Sequence, residues 1–373
     1  MTSPDARYHR QMLLPGIGVE GQRRLGESSV LVVGCGALGS AAAEFLARAG
    51  VGTLHLVDRD VVERTNLQRQ LLYGERDADA GRAKAEAARE RLAAVNSGIR
   101  VRGWVDDLDA SNVRDYLDEA DLVVDGLDNF EARYLLNDAC VEAGVPYLYG
   151  GAVGTQGLAW TILPPDGARA PRNGRARRRL HDAADRTPCL RCVFPEPPPA
   201  GSAPTCDTAG VLGTVTAMIA ARQATEAIKL LVGEVGSLDR SALSIDAWSN
   251  RLERVAMPAS PDSGCPCCAA RRFEFLEGGR RSDAAVLCGR GAVQVRPDRR
   301  DQTGIDLAAL AARLAPHGSF RREGALIVGV LARERTPGGE AVELSVFADG
   351  RAIVRGSTEP DFARAIYARY VGS

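Results

Sequence analysis

Residues 30–70 constrain this chain more than any other stretch. An apolar run, Val30-Leu-Val-Val, leads into Gly34-Cys-Gly36-Ala-Leu-Gly39 and then into an Ala-rich segment with helical spacing. Strand, glycine turn and helix in that order form a phosphate cradle. The glycines let the backbone approach an anion, and the helix start presents free N–H groups to it. Asp58 closes the next apolar run, in Leu56-Val-Asp58-Arg-Asp60. That is about 20 residues on, where a carboxylate meets a ribose hydroxyl. To this point a dehydrogenase would read the same way. Asn66-Leu-Gln-Arg69-Gln70 does not fit one. It sets a cation just past the second strand, where the second half of a dinucleotide needs no cationic clamp and a triphosphate does. The Asp58/Asp60 and Asn66/Arg69 pairs therefore tilt the reading towards ATP.

The chain has 373 residues, which suits a large α/β domain with a smaller companion. A net charge of −1 argues against bulk affinity for nucleic acid. No apolar signal segment opens the sequence. The greasiest stretch, Val211 to Ile219, contains Thr214 and Thr216 and soon meets Arg222 and Glu226, so no membrane span is expected. Nine cysteines without a secretory signal point to a reducing, cytoplasmic setting with metal-bound or reactive thiols rather than a disulfide framework. Of 47 basic residues only Lys84 and Lys229 are lysine. A compact ammonium and a planar guanidinium are not interchangeable, so Lys84, close to the cradle, is expected to do chemistry. Lys229, in an amphipathic helix, reads as a chance survivor.

From 28 to 151 strands and helices alternate, with strands near 29–34, 53–58, 99–105, 121–125 and 146–150. Helices fall near 37–49, 80–96, 110–119 and 130–143. The alternation predicts a doubly wound, mostly parallel sheet of Rossmann type. Residues 164–188 are rich in Pro, Gly and Arg and read as a mobile surface insertion. A helix over 209–232 and strands near 241–247 and 251–257 follow. From about 273 the texture changes: strand 284–296, helix 305–314, strands 324–332 and 341–355, helix 359–370. The chain is therefore divided into an ATP-binding domain, 1–272, and a small α+β domain, 273–373. Because every motif precedes residue 273, the tail is expected to be dispensable for the nucleotide chemistry.

Two further sites stand out. Cys189-x-x-Cys192 and Cys265-x-x-Cys268 are two thiolate knuckles that together suit a closed, structural tetrahedral zinc site. The intervening excursion is far longer than that of a compact zinc ribbon, so the metal would clip it back onto the main domain. Cys267 competes with Cys268 as ligand, and the spacing favours Cys268. Asp128 follows the apolar run Leu122-Val-Val-Asp125, at the sheet edge where ligands bind in doubly wound folds. It suits either Mg²⁺ or a helix N-cap. Cys35, Cys140 and Cys288 read as ordinary buried thiols.

In order along the chain stand Arg7-Tyr-His-Arg10-Gln, Gly34-Cys-Gly36-Ala-Leu-Gly39, Asp58-Arg-Asp60, Asn66-Leu-Gln-Arg69-Gln70, Gly81-x-x-Lys84, Asp128-Asn129, both Cys pairs and Thr205-Cys206. Together they resemble the MoeB/ThiF adenylyltransferases, bacterial relatives of ubiquitin-activating enzymes. The resemblance covers about residues 7–270. It implies ATP-dependent adenylylation of the C-terminal Gly-Gly carboxylate of a ubiquitin-like sulfur-carrier protein, in molybdopterin, thiamine or related biosynthesis. By motif position Asp58 would hold the ribose, Asn66, Arg69 and Lys84 the phosphates, and Asp128 the Mg²⁺. Arg10 would reach the ATP of a partner subunit in a homodimer. Cys206 would sit where some members carry sulfur or a thioester and others do not use the residue. The neighbouring Asp207 disfavours a thiolate there. The chain ends in Val371-Gly-Ser373, so a carrier in trans is expected. The competing readings are an NAD-dependent Rossmann oxidoreductase, which leaves Arg69 and Lys84 idle, and a nucleotide-binding zinc scaffold without chemistry.

Overall fold

In the computed structural model the described residues are 4–165, 167, 171, 173, 180–198, 206–258, 264–277, 284–287, 291–295, 305–324 and 326–372. The arginines of the run within the predicted insertion (172, 175 and 177–179) lie outside them, as does Cys288.

Eight strands make the main sheet: β1 (Ser29–Val33), β2 (Thr53–Val57), β3 (Arg100–Trp104), β4 (Leu122–Asp125), β5 (Tyr147–Val153), β6 (Gln156–Ile162), β7 (Ala242–Asp246) and β8 (Arg251–Val255). Their order is β3-β2-β1-β4-β5-β6-β7-β8. Strands β3 to β5 run parallel, and β6 to β8 extend the sheet antiparallel. β1 is buried along its whole length, because alternate side chains enter two different cores. Val30 and Val32 join one, with helices Ala37–Ala49, Lys84–Val95 and Gly213–Val232. Leu31 and Val33 join the other, with helices Val113–Asp118 and Phe130–Ala143. Such two-sided burial is what a parallel strand covered by helices on both faces requires. The order reverses between β1 and β4, so the loops after these two strands open the crevice where doubly wound folds bind ligands.

The predicted helix 80–96 starts later, at Lys84, and a short helix that was not predicted, Glu75–Ala80, precedes it and ends at Gly81, whose φ of +64° an L side chain rarely adopts. The break lets Ala83 form a bridge with Val61 and brings the start of the second helix beside Asp60.

The tail is an α+β unit with a six-stranded antiparallel sheet: β9 (Ala284–Leu287), β10 (Ala292–Val295), β11 (Gly318–Glu323), β12 (Leu326–Arg335), β13 (Ala341–Phe347) and β14 (Ala352–Arg355), in the order β11-β12-β13-β14-β10-β9. The predicted strands 284–296 and 341–355 are each a pair, and β11, Gly318-Ser-Phe-Arg-Arg-Glu323, was not predicted because it has one large apolar residue beside three consecutive charges. Period-two alternation sorts the side chains. Val293, Ile327, Leu344, Val346 and Val354 pack under helices Leu307–Leu314 and Pro360–Tyr370. Ala292, Leu326, Phe347 and Ile353 face the other way and pack on Val61 and Ala83 of the main domain. The tail sheet is thus covered on both faces, one of them by the main domain. Among the described residues, no helix is long and apolar enough to cross a membrane.

Candidate nucleotide site and cysteine cluster

The turn after β1 is shaped by two of its glycines and left open at the third. Gly34 has φ +85°, and a Cβ there would stand 2.6 Å from the Gly126 carbonyl oxygen. A Cβ on Gly39 would overlap the Gly34 carbonyl oxygen. Gly36 is different: its Cβ would meet nothing closer than 3.9 Å, Gln70 Nε2 and Gly126 O. The first and last glycines therefore close the turn and seat the helix, and the middle one leaves room for a ligand to approach the backbone. Gln70 borders this space. It is 3% exposed, and its Oε1 is buried without a hydrogen-bond partner among the described residues. A buried orphan acceptor of this kind costs free energy unless a ligand satisfies it.

Asp58 lies beneath the turn, 8% exposed. One carboxylate oxygen accepts from Cys35 N at 2.6 Å, the other from Asp60 N at 2.7 Å. Each oxygen has a further lone-pair site, so the group can still accept a ribose hydroxyl. Burial pushes its pKa up, and the Lys84 ammonium opposes that shift. Lys84 is 2% exposed, and its Nζ donates to Asp60 Oδ2 at 3.1 Å. Its backbone N also donates to Asp60 O at 2.9 Å. Lys84 is thus held from both ends beside the acidic loop. The other lysine is structural: Lys229 Nζ donates to Glu226 Oε1 and Ser237 O.

Asn66 is buried, and its Oδ1 accepts from Glu63 N, which fixes the short helical turn Arg64–Asn66. Arg69 is half-buried and donates to Thr65 O. After β4, Asp128 is exposed while Asn129 takes the N-cap role, accepting from Ala132 N at 2.8 Å. The cap alternative for Asp128 is therefore filled by its neighbour, which leaves an exposed carboxylate at the sheet edge. Magnesium is usually bound by one or two carboxylates together with substrate phosphates, and Asp128 offers one such ligand. Arg10 is exposed on helix Pro4–Met12.

Sequence reasoning missed the support under Asp128. Arg133 donates to Asp125 Oδ2, Leu127 O and Gly150 O, and Tyr147 donates to the same Asp125 oxygen at 2.7 Å. Burial raises the Asp125 pKa, and Arg133 opposes the shift. The available signal was an acid at the end of a fully apolar strand, which a fold tolerates only when it is paired.

The four predicted sulfurs converge. Cys189, Cys192, Cys265 and Cys268 have their Sγ atoms all within 4.8 Å of one another. Neighbouring pairs stand 3.4–3.8 Å apart. Four sulfurs at zinc-bonding distance in a tetrahedron would be about 3.8 Å apart, so the cluster fits a structural zinc. Cys267 points elsewhere and accepts from Asn137 Nδ2. The spacing argument for Cys268 agrees with this geometry.

The ThiF family model matches residues 8–267. The chain belongs to the ThiF family. It is 38% identical to the sulfur carrier protein ThiS adenylyltransferase of Bacillus subtilis strain 168, over 98% of this chain and 99% of that one. It is 41% identical to the SAMP-activating enzyme E1 of Haloferax volcanii, over 73% of this chain and 91% of that one. Among solved structures it resembles E. coli MccB with MccA-N7isoASN, at 25% identity and a TM-score of 0.56, covering 72% of this chain and 75% of that one. The Bacillus relative extends through the tail, which the family model does not.

As a ThiF-family member the chain has one ambiguous thiol. Cys206 is half-buried at the start of the short helix Cys206–Ala209, and its Sγ donates to Ala152 O at 3.4 Å. That contact favours the protonated thiol. The side chain of Asp207 lies outside the described residues. Cys35 and Cys140 are fully buried, and burial holds the Cys35 thiol well above its usual range.

The cluster generates one prediction. Purified protein should contain one zinc per chain, and chelation should lower its melting temperature, because the metal joins segments distant in sequence. Cys267→Ser should keep its zinc and Cys268→Ser should lose it. Metal analysis showing the reverse would mean that the wrong thiol has been assigned.

Proposed function

We propose that this ThiF-family protein uses MgATP to adenylylate the C-terminal Gly-Gly carboxylate of a ubiquitin-like sulfur-carrier protein. The observation that carries the reading is the convergence of Lys84, Asp58, Asp60, Gln70 and the open face of Gly36 at the reversal point of a parallel sheet. In this reaction a carboxylate oxygen of the carrier bonds to the α-phosphorus of ATP. The bond from that phosphorus to the bridging oxygen breaks, pyrophosphate leaves with the electron pair, and a mixed anhydride of carrier and AMP remains.

The nucleophile is already an anion, so no general base is needed. The difficulty is that two anions must meet. Catalysis then rests on positioning and on cations around the phosphates. Asp58 accepts from the ribose. The backbone of Gly34–Gly36 and the start of helix Ala37–Ala49 line the phosphates, with Arg69, Asn66 and Gln70 on the far side. Lys84 leaves its ion pair with Asp60 for the triphosphate, and its short reach from a buried stem suits a phosphate whose geometry changes. Asp128 would hold Mg²⁺, which neutralises phosphate charge. A homodimer in which Arg10 of each subunit enters the other's site would place a further cation there, and the exposure of Arg10 supports this. The names of the relatives support a sulfur carrier as partner.

The test uses a small ubiquitin-like sulfur-carrier protein ending in Gly-Gly and follows the carrier–AMP species by intact-mass analysis. Wild-type protein with MgATP should form it. Lys84→Arg keeps the charge but loses the compact ammonium, and should lower the rate by about 10²–10³. Asp128→Ala should remove Mg²⁺-dependent turnover while leaving the melting temperature unchanged. Near-normal rates for Lys84→Arg would show that a guanidinium serves equally well and that Lys84 is not the phosphate ligand.

Cys206 calls for a separate measurement. Attack on the adenylate needs a mobile, exposed thiolate. The half-buried, carbonyl-bonded thiol favours adenylylation without a covalent carrier intermediate. Non-reducing gels of protein, carrier and MgATP should therefore show no thiol-sensitive adduct, and Cys206→Ala should form the adenylate at the wild-type rate. An adduct that vanishes in Cys206→Ala would establish the covalent route.

A further inference from the structure

The tail sheet sits on the segment that carries Asp58, Asp60 and Lys84, and its contact there includes a buried cation. Arg351, in the tight turn between β13 and β14, is 3% exposed. Its Nη1 donates to Arg59 O at 3.0 Å and its Nη2 to Val105 O at 3.1 Å. Its Nε donates to Asp349 at 2.7 Å, and its guanidinium lies 3.8 Å from the centre of the Phe347 ring. One rigid fork, itself clamped by an acid and an aromatic face, thus fixes the loop after β2 relative to the loop after β3. Two further polar ties flank it. Gln294 donates to Asp107, which also pairs with Arg59, and Arg355 donates to Glu63 at 2.8 Å. Below them Val61 and Ala83 are sealed by Leu326, Phe347 and Ile353.

Arg59 stands between the two carboxylates of the site. Asp58 and Asp60 are linked through the Asp60 N–H, and Asp60 holds Lys84. A shift of the Arg59 carbonyl moves both carboxylates, and with them Lys84. Burying a guanidinium is costly unless its donors are satisfied, and here two of them end on main-chain carbonyls of the other domain. A merely tethered module would place polar, solvated side chains on that face.

We propose that the C-terminal domain is part of the nucleotide site, with Arg351 a positioning residue that holds the Asp58–Asp60 loop in its ATP-binding shape. This rests on the ATP reading above. It reverses the expectation that a tail without motifs is dispensable for the nucleotide chemistry. Loss of Arg351 would free the loop to relax away from the ribose and triphosphate, while the surface that meets the carrier tail stays as it is.

The test uses the full-length chain as Arg351→Ala and Arg351→Lys. It reads MgATP affinity by calorimetry, the KM for ATP and for carrier in adenylate formation, and amide hydrogen exchange over 58–62. Melting temperature and zinc content check the fold. Arg351→Ala should weaken MgATP binding about ten- to a hundredfold, the cost of misplacing groups from a distance. The KM for ATP should rise in step, the KM for carrier should hold, and exchange over 58–62 should quicken. Arg351→Lys, which reaches one carbonyl at a time, should fall between. An Arg351→Ala protein that keeps fold and zinc and binds MgATP within about twofold of wild type would overturn the proposal. Should that variant not fold, Arg351→Lys decides in the same way: weakened MgATP binding supports the proposal, and unchanged binding overturns it. Wild-type protein that binds MgATP but adenylylates no carrier would sink the proposed reaction and leave this test standing, because its readout is nucleotide affinity. Wild-type protein that does not bind MgATP overturns both.

Discussion

The carboxylate of Asp58 joins the parts of this sheet edge that must act together. It takes the Cys35 N–H from the glycine turn on one oxygen and the Asp60 N–H from its own loop on the other. A buried acid is unfavourable by itself, and burial raises its pKa. The ammonium of Lys84 and the two backbone N–H groups offset that cost. The two Asp58 contacts and the Lys84–Asp60 ion pair together order the turn, the acidic loop and the start of helix Lys84–Val95. Arranging the site and stabilising the fold are here one set of interactions. A cation held beside the acidic loop in the absence of ligand already stands at the site of the anionic substrate and exchanges Asp60 for the triphosphate when ATP arrives.

Much of this was legible in the sequence. The strand, glycine turn and helix could be read from residues 30–49 because they are local: two-sided burial writes a continuous apolar run, and the turn needs glycine at defined offsets. The Cys pairs were legible because the chemistry of sulfur on a metal dictates their spacing. Asp128 was placed correctly at the sheet edge, and its alternative role as a cap went to Asn129. What could not be read depends on contacts between distant segments. Arg133 under the Asp128 loop joins the ends of two strands, and nothing local marks it. The break at Gly81 looked like ordinary helix because Arg82 and Lys84 continue a helical composition. Strand β11 was masked because it is an edge strand with one large apolar residue, Phe320, followed by Arg321, Arg322 and Glu323 in a row.

The tail shows the limit most clearly. Its sequence carries no chemical motif, and its strands read as a small sheet with its own helices. The second apolar set, Leu326, Phe347 and Ile353, is invisible as an interface until the partner residues Val61 and Ala83 are seen beneath it. Arg351 likewise looked like one more arginine in a chain where arginine has displaced lysine almost everywhere. Two long-range clips therefore hold distant segments together. The cysteine cluster ties the 265–268 segment to the helix side near Phe130–Ala143, and the tail sheet braces the loop that holds Asp58. The second of these restrains a loop of a site whose proposed chemistry depends on positioning rather than on proton transfer.

In the proposed reaction the crevice makes a carrier adenylate from ATP reversibly and before any sulfur moves. Exchange of labelled pyrophosphate into ATP measures that step alone. With the protein, magnesium and a cognate Gly-Gly carrier, label should enter ATP. It should fail to do so when the carrier lacks its terminal glycine or when NAD replaces ATP. Tight nucleotide binding with no exchange in the presence of any Gly-Gly carrier would contradict the account and leave a nucleotide-binding scaffold in its place.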